Sequence, residues 1–379
     1  MSTALANDPA TPTRGARGTQ LLGALLRSRE LAVLVVLLLI VLGTTLKSNG
    51  FLFSSDGFRN LLVTPSLLLL LAVGQTLVIV TRNVDLSVGS VLGLTAYLTG
   101  RLFADNPGIP VIAVFAAGLA MGALLGLVNG VLVAFGRVPA LVITLGTLYI
   151  YRGIFLTWAG SDRINASDMD PAFLALGTRS ILGIPVLTLI ALAVLAAVGY
   201  YLHTARGGRE LYAIGSDPDA ATLYGLRVTR RVLVAFVLSG ALAGLAGVVY
   251  AARYGTVSSG AGSGIELQAV GAAVIGGVAI FGGSGTVWGA AIGAFLLVTI
   301  NRALPIVGIS DFWQRAVVGA LILAAIVLDR VLANRQERRL REQQGSSAAE
   351  AAPPGPDGPP VLPAGPTDPT THHDEEARA

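Results

Sequence analysis

Mostly apolar stretches of about twenty residues recur along this chain, and that recurrence narrows its folds more than any other feature. Residues 31–46 read LAVLVVLLLIVLGTTL, without a charged side chain. A helix rising about 1.5 Å per residue crosses a hydrocarbon layer of about 30 Å with about twenty such residues. Comparable segments fall at 61–80, 86–103, 110–135, 140–158, 183–202, 231–252, 266–282, 286–303 and 313–330. Soluble domains carry about 25% charged residues, whereas this chain carries 13%. The expected fold is all-α: a polytopic membrane helical bundle of about ten transmembrane helices.

Composition divides the 379 residues into three parts. Residues 1–20 are polar and rich in Ala, Thr and Gly, and 342–379 carry APPGPDGPPVLPAGPTDP; neither composition buries a core, so disordered cytosolic ends are expected. Residues 21–341 form one membrane domain, interrupted by a polar stretch at 203–231. No short apolar region with a small-residue cleavage site opens the chain, so the first apolar run reads as a retained span. Ten spans with a cytosolic amino terminus put both termini and 203–231 on one side. Seventeen of the 26 Lys and Arg then fall inside, as the positive-inside rule requires.

Several chemistries are excluded. With no Cys, and His only at 203, 372 and 373, disulfides, thiolate sites and a buried metal centre are not expected, and no cofactor is implied. The basic residues sit at helix ends without interleaved aromatics, which argues against nucleic acid. A phosphate-binding loop needs a Lys that reaches the phosphates. The single Lys, Lys47 in LGTTLKSNG, lacks that loop's glycines, so any ATP hydrolysis belongs to a separate subunit and the chain is not expected to be an enzyme. Asp85, Glu266 and Asp329 lie at span edges. Ion-coupled carriers place ionisable groups within their spans, so a cation-coupled secondary carrier is the weaker alternative.

Glycines recur at four-residue spacing at 122, 126 and 130, at 240 and 244, and at 285, 289 and 293. Such stripes let helix backbones approach closely where lipid removes the hydrophobic drive. An ungapped comparison of 72–89 with 269–286 gives four identities in eighteen positions, near chance for a chain so rich in Ala, Val and Gly.

Within 203–231, Asp217 can cap a helix, Pro218 fits its first position and Asp219 suits its dipole. Ala220 to Tyr224 continue that helix, and Gly225 ends it. Two turns fall short of the roughly 12–15 residues that approach stability alone, so packing and a partner must hold them. Tyr212, Leu223 and Tyr224 are the apolar candidates for that contact; an ordinary long loop with a capped turn is the alternative.

The stretch GRELYAIGSDPDAATLYGLRV, starting at Gly208, resembles the cytoplasmic coupling loop of permease subunits of ATP-binding-cassette monosaccharide importers, the ribose/xylose/rhamnose permease family. Three further segments agree in order: AVGQTLVIVTRNVDLSVGSVLG from Ala72, RVPALVITLGTLYIYRGI from Arg137 and AVGAAVIGGVAIFGGSGTVWGAAIGAFLL from Ala269. The resemblance runs from about residue 30 to 330. It implies a multi-pass protein of the bacterial cytoplasmic membrane, with both termini cytosolic, forming the path for a rhamnose-, ribose-, xylose- or autoinducer-2-like monosaccharide. The implied partners are a cytosolic ATP-binding subunit dimer, an extracytoplasmic sugar-binding protein and a second permease subunit, identical or related. It makes Gly208, Arg209, Tyr212, Gly215, Asp217, Pro218, Ala220, Ala221, Leu223, Tyr224 and Gly225 the ATPase-coupling loop. TRNVDLSVGS is similar to permeases for rhamnose and autoinducer-2, and less like TGGIDLSVGS of ribose permeases. The Pro-rich tail departs from the family. A branched-chain amino acid permease of the same superfamily is a further alternative.

Gln75 and Thr76 lie mid-span, where a polar side chain must face protein or a wet path. They are candidates to line the sugar path, as are Asn129 and Thr144; interhelical hydrogen bonding is the competing role. Arg82 and Asp85, three apart, could pair, with topology and helix capping as their expected roles. Arg152 needs a partner or must snorkel, and Glu266 lies at similar depth. Gly282–Gly285 reads as a tight inner reversal.

Overall fold

In chain order the helices of the computed structural model are α1 (Arg29–Lys47), α2 (Gly50–Phe53), α3 (Ser55–Ile79), α4 (Val88–Asp105), α5 (Val111–Gly136), α6 (Ala140–Ala159) and α7 (Pro171–Thr178). They continue with α8 (Val186–Thr204), α9 (Arg206–Ser216), α10 (Pro218–Leu223), α11 (Val228–Tyr254), α12 (Ile265–Ile275) and α13 (Val287–Ile306). A two-stranded hairpin, Ser180–Ile181 with Ile184–Pro185, precedes α8. The structure describes residues 29–136, 138–310 and parts of 313–327. The expected disordered ends and part of the expected span 313–330 lie outside the described residues.

Seven helices among the described residues are long and apolar enough to cross a membrane: α1, α3, α5, α6, α8, α11 and α13. The chain is a multi-pass helical membrane bundle. α4 has 18 residues but is less apolar; its Thr95 and Thr99 hydroxyls bond back to the carbonyls of Val91 and Thr95 at 2.8 and 2.9 Å, which satisfies them inside the protein. The expected span 266–282 is not continuous. Its helix stops at Ile275, and Gly277, Gly282, Gly283 and Gly285 all adopt positive φ in the stretch before α13, a conformation that favours glycine over any residue with a Cβ.

Nearly all of α3 from Val63 onward is buried, with α11 beside it. α11 meets α5 along glycine stripes: a methyl at Gly122 would lie 2.2 Å from the Gly240 carbonyl oxygen, and one at Gly240 would lie 2.3 Å from that of Gly122. The backbones therefore touch, as four-residue glycine spacing predicts. Gly289 and Gly293 play the same part against Gly276 and Ala272, whereas Gly285 sits in the turn. α1, α5 and α6 expose Leu39, Phe135 and Ile150, a face suited to lipid. Two sets of connections result. Residues 80–87, 205–227 and 276–286 gather at one end of the bundle, where Gly283 N donates to Val80 O at 3.0 Å. At the opposite end, Ile164 and Val257 form a bridge.

Candidate functional site

The polar stretch 203–231 is more structured than a capped turn. Its first half is α9, whose Gly207, Gly208, Leu211, Ile214 and Gly215 share one buried face at helical spacing. Gly208 abuts the Tyr201 carbonyl oxygen, 2.3 Å from where its Cβ would stand. Arg209 Nη1 donates to Thr204 O at 2.8 Å. Glu210 bridges Arg206 at 2.8 Å and Arg231 at 2.5 Å, tying α9 to the start of α11. The Arg231 hydrogen bond, then that of Arg206, holds the Glu210 carboxyl below its usual range.

Asp217 caps α10 by accepting from Asp219 N and Ala220 N at 3.1 and 3.0 Å, Pro218 takes the first position, and Gly225 turns the chain at φ 77°. Ala221 is buried against the bundle, whereas Leu223 and Tyr224 are 89% and 87% exposed. Tyr212 packs against the buried core of the bundle, one of the contacts expected to hold this stretch. It turns inward, and its hydroxyl donates to Gly285 O at 2.9 Å.

The turn after α3 is the joint between this surface and the membrane interior. Arg82 stands at φ 64°, and its Nε and Nη2 donate to Gly215 O and Ser216 O at 2.5 Å each. Those are the last two carbonyls of α9, where the helix dipole favours a cation. A methyl at Gly215 would lie 1.7 Å from the Val80 carbonyl oxygen, so the joint closes only on glycine. Arg82 and Asp85 do not pair: one points outward to α9, the other inward.

Asp85 is buried, and among the described residues no basic side chain pairs with it. Its Oδ1 accepts from Ser87 N at 2.9 Å and from Ser87 Oγ at 2.7 Å. Asn129 Nδ2 donates to Ser87 Oγ at 2.7 Å, and the Tyr151 hydroxyl lies 3.1 Å from Asn129 Oδ1. Gln75 Nε2 donates to Asp85 O, and Thr144 Oγ1 donates to Val84 O at 3.1 Å. Side chains from α3, α5 and α6 thus converge on the turn and satisfy its buried polar groups. Three of the four residues expected on the sugar path meet here. Thr76 stays apart, its hydroxyl bonded to Ala72 O at 2.8 Å within its own helix. All four are fully buried.

Sequence reasoning missed α9, because paired glycines at its start mask its helical period. Tyr151 was also missed, although Thr144, Thr147 and Tyr151 recur at helical spacing on the buried face of α6.

At the opposite end Arg152 Nη1 donates to Ala261 O at 2.7 Å, while Glu266 accepts from Gly264 N at 3.2 Å. Arg253 bonds Asn60 at 2.6 Å, Arg59 donates to Gly177 O, and Arg302 stacks on Phe51. Among the described residues, Arg59 Nε, Arg253 Nε and Arg302 Nη1 are buried without a hydrogen-bond partner, which leaves a concentration of cationic donors there.

The family described as "Branched-chain amino acid transport system / permease component" matches residues 57–326. The chain belongs to that permease family. It is a transport component, not an enzyme, and such a component implies ATP-binding and substrate-binding partners. The chain is 38% identical over 323 residues to "Autoinducer 2 import system permease protein LsrC" of Escherichia coli (strain K12 / DH10B), covering 84% of this permease and 91% of the relative. A protein of the same name from Enterobacter sp. (strain 638) is 36% identical over 84% of this permease and 92% of its own length. The counterpart from Klebsiella pneumoniae is 38% identical over 80% and 87%. No solved structure matches the permease.

Proposed function

We propose that this permease forms the path for a monosaccharide of the autoinducer 2 type in an ATP-dependent importer of the bacterial cytoplasmic membrane. The agreement with autoinducer 2 permeases over 84% of the chain carries the reading and favours it over branched-chain amino acids or ion-coupled transport. A second permease subunit completes the path. The 203–231 end faces the cytosol, where an ATP-binding dimer docks on α10 through the exposed Leu223 and Tyr224. The substrate-binding protein approaches the opposite end, where the half-buried Arg59, Arg253 and Arg302 add a positive field that suits an acidic surface.

Force enters at α10, passes through α9 to Arg82, and reaches the Asp85–Ser87–Asn129–Tyr151 network in the bundle. Gln75, Asn129 and Thr144 then act by holding the turn that moves, and bear on the path through it. Rigid-body displacement of a packed element is how such a joint transmits. A labelled panel of pentoses, 6-deoxyhexoses and autoinducer 2, offered to cells with the intact operon and to cells lacking this gene, tests the substrate. Gene-dependent uptake confined to a branched-chain amino acid, or uptake that survives loss of the ATP-binding subunit, would remove the reading.

A further inference from the structure

Beside α10 lies a cleft of about 390 Å³ whose walls include Arg206, Arg227, Arg230 and Arg231, with Glu210 as their one acidic neighbour. Glu210 already serves Arg206 and Arg231. Arg227 and Arg230 have no ion pair among the described residues, and both are exposed. They stand where α11 begins without a side-chain cap, so free N–H groups and the helix dipole add to the positive field. A second cavity, of about 520 Å³, shares Leu226, Arg227 and Arg230 with the first, and its walls add Phe135, Val228 and Leu233. Phe135 is 67% exposed at the end of α5, which joins this apolar cavity to the lipid-facing surface.

We propose that the paired cavities bind one anionic phospholipid of the cytosolic leaflet, its phosphate held by Arg227 and Arg230 and its acyl chain by Phe135, Val228 and Leu233. A carboxylate from a docking protein would need only the cationic half. The apolar half, open toward the bilayer, selects a ligand that is charged at one end and hydrocarbon at the other. Basic pockets at the cytosolic ends of membrane helices hold lipid headgroups by this chemistry. A lipid seated here would fix the first turn of α11 against α10, between the proposed ATPase contact and the bundle. The inference rests on the cytosolic placement of 203–231 proposed above.

The test uses the full chain in nanodiscs containing phosphatidylglycerol and phosphatidylcholine, released into detergent and read by native mass spectrometry. The wild type and an Arg179→Gln control at the opposite end should retain one phosphatidylglycerol in preference to phosphatidylcholine. At about 1 kcal/mol for each basic side chain near a membrane surface, Arg227→Gln with Arg230→Gln should weaken retention about 30-fold. The corresponding double Lys variant should keep part of it, which separates lost charge from misfolding. Undiminished retention by the Gln pair overturns the proposal, as does equal binding of inorganic phosphate without lipid. If the Gln pair releases the ATP-binding subunit while lipid retention is unchanged, the cleft is a protein contact instead. Because retention is read on the permease alone, it succeeds or fails independently of transport, and labelling of residue 225 from one side of the membrane tests the orientation separately.

Discussion

Replacing Arg82 separates the joint's mechanical role from its contribution to folding. Arg82→Ala removes the hydrogen bonds to Gly215 O and Ser216 O, both 2.5 Å, and leaves a Cβ-bearing residue at φ 64°. Bonds to a charged donor contribute about 1.5–3 kcal/mol each when shielded. Arg82 is exposed, so screening reduces the pair to about 1–2 kcal/mol in total. Arg82→Gly loses the same bonds but relieves a left-handed conformation that costs about 1–2 kcal/mol with a side chain, against which glycine's extra chain entropy takes back about 0.5–1 kcal/mol. The glycine variant should therefore melt close to the wild type while lacking the link to α9. In proteoliposomes holding the ATP-binding and substrate-binding partners, Arg82→Gly should keep ATP hydrolysis and lose roughly 5- to 30-fold in uptake per ATP, the equivalent of about 1–2 kcal/mol of coupling. Wild-type uptake per ATP in a stably folded Arg82→Gly protein refutes the argument, because force would then reach the bundle without this link.

The glycine seam predicts that Gly240→Ala, whose methyl would meet the Gly122 oxygen at 2.3 Å, destabilises by about 1–3 kcal/mol. Gly146→Ala, with nothing within 4 Å, should not. Thermal unfolding in detergent compares the two. Leu223→Asp should leave the fold intact, since Leu223 is 89% exposed, while reducing co-purification of the ATP-binding subunit about tenfold or more; unchanged co-purification removes α10 from the contact. The Glu210 carboxyl is depressed from its usual 4.5 by Arg231 and then Arg206. Its stabilisation is therefore present above that value and lost as pH falls through the lower folded-state value. Glu210→Gln should flatten thermal stability across that acid range, and an unaltered profile counts against the bridge.

What the sequence carried best was whatever depends on period and composition. Apolar runs located the long helices, and Asp217–Pro218 located the start of α10, because capping chemistry is local. Glycine spacing identified the seam between α5 and α11, although spacing could not say which stripes would meet. Long-range pairing was not legible. Arg82 and Gly215 are 133 residues apart, and helix spacing offered only Asp85 as a permitted partner of Arg82. Gln75, Asn129 and Thr144 were recognisable as polar groups needing partners in hydrocarbon. The partners are the turn at 80–87 and Tyr151, fixed by packing of three helices and by no local pattern.

The two segments whose identity is near chance share a plan that the backbone makes visible. In the ungapped comparison Ile79, the end of α3, falls opposite Gly276, one residue past the end of α12. Val88, the start of α4, falls opposite Gly285, two residues before α13 begins. Each segment is thus a helix, a break of similar length and a second helix. The two breaks solve the same problem differently. The break after α3 has its polar groups met by Gln75, Ser87 and Asn129, whereas the break after α12 relies on glycines at positive φ that let its backbone turn on itself, with Ala279 N reaching Ser284 O at 3.1 Å. They join where Gly283 N donates to Val80 O at 3.0 Å, with Gly215 wedged between them. Buried irregular backbone survives in a membrane protein only where protein satisfies it. Here Arg82, on the carbonyls of Gly215 and Ser216, and Tyr212, on the carbonyl of Gly285, hold both breaks against α9, so displacement of that single helix bears on the ends of α3, α4, α12 and α13 together.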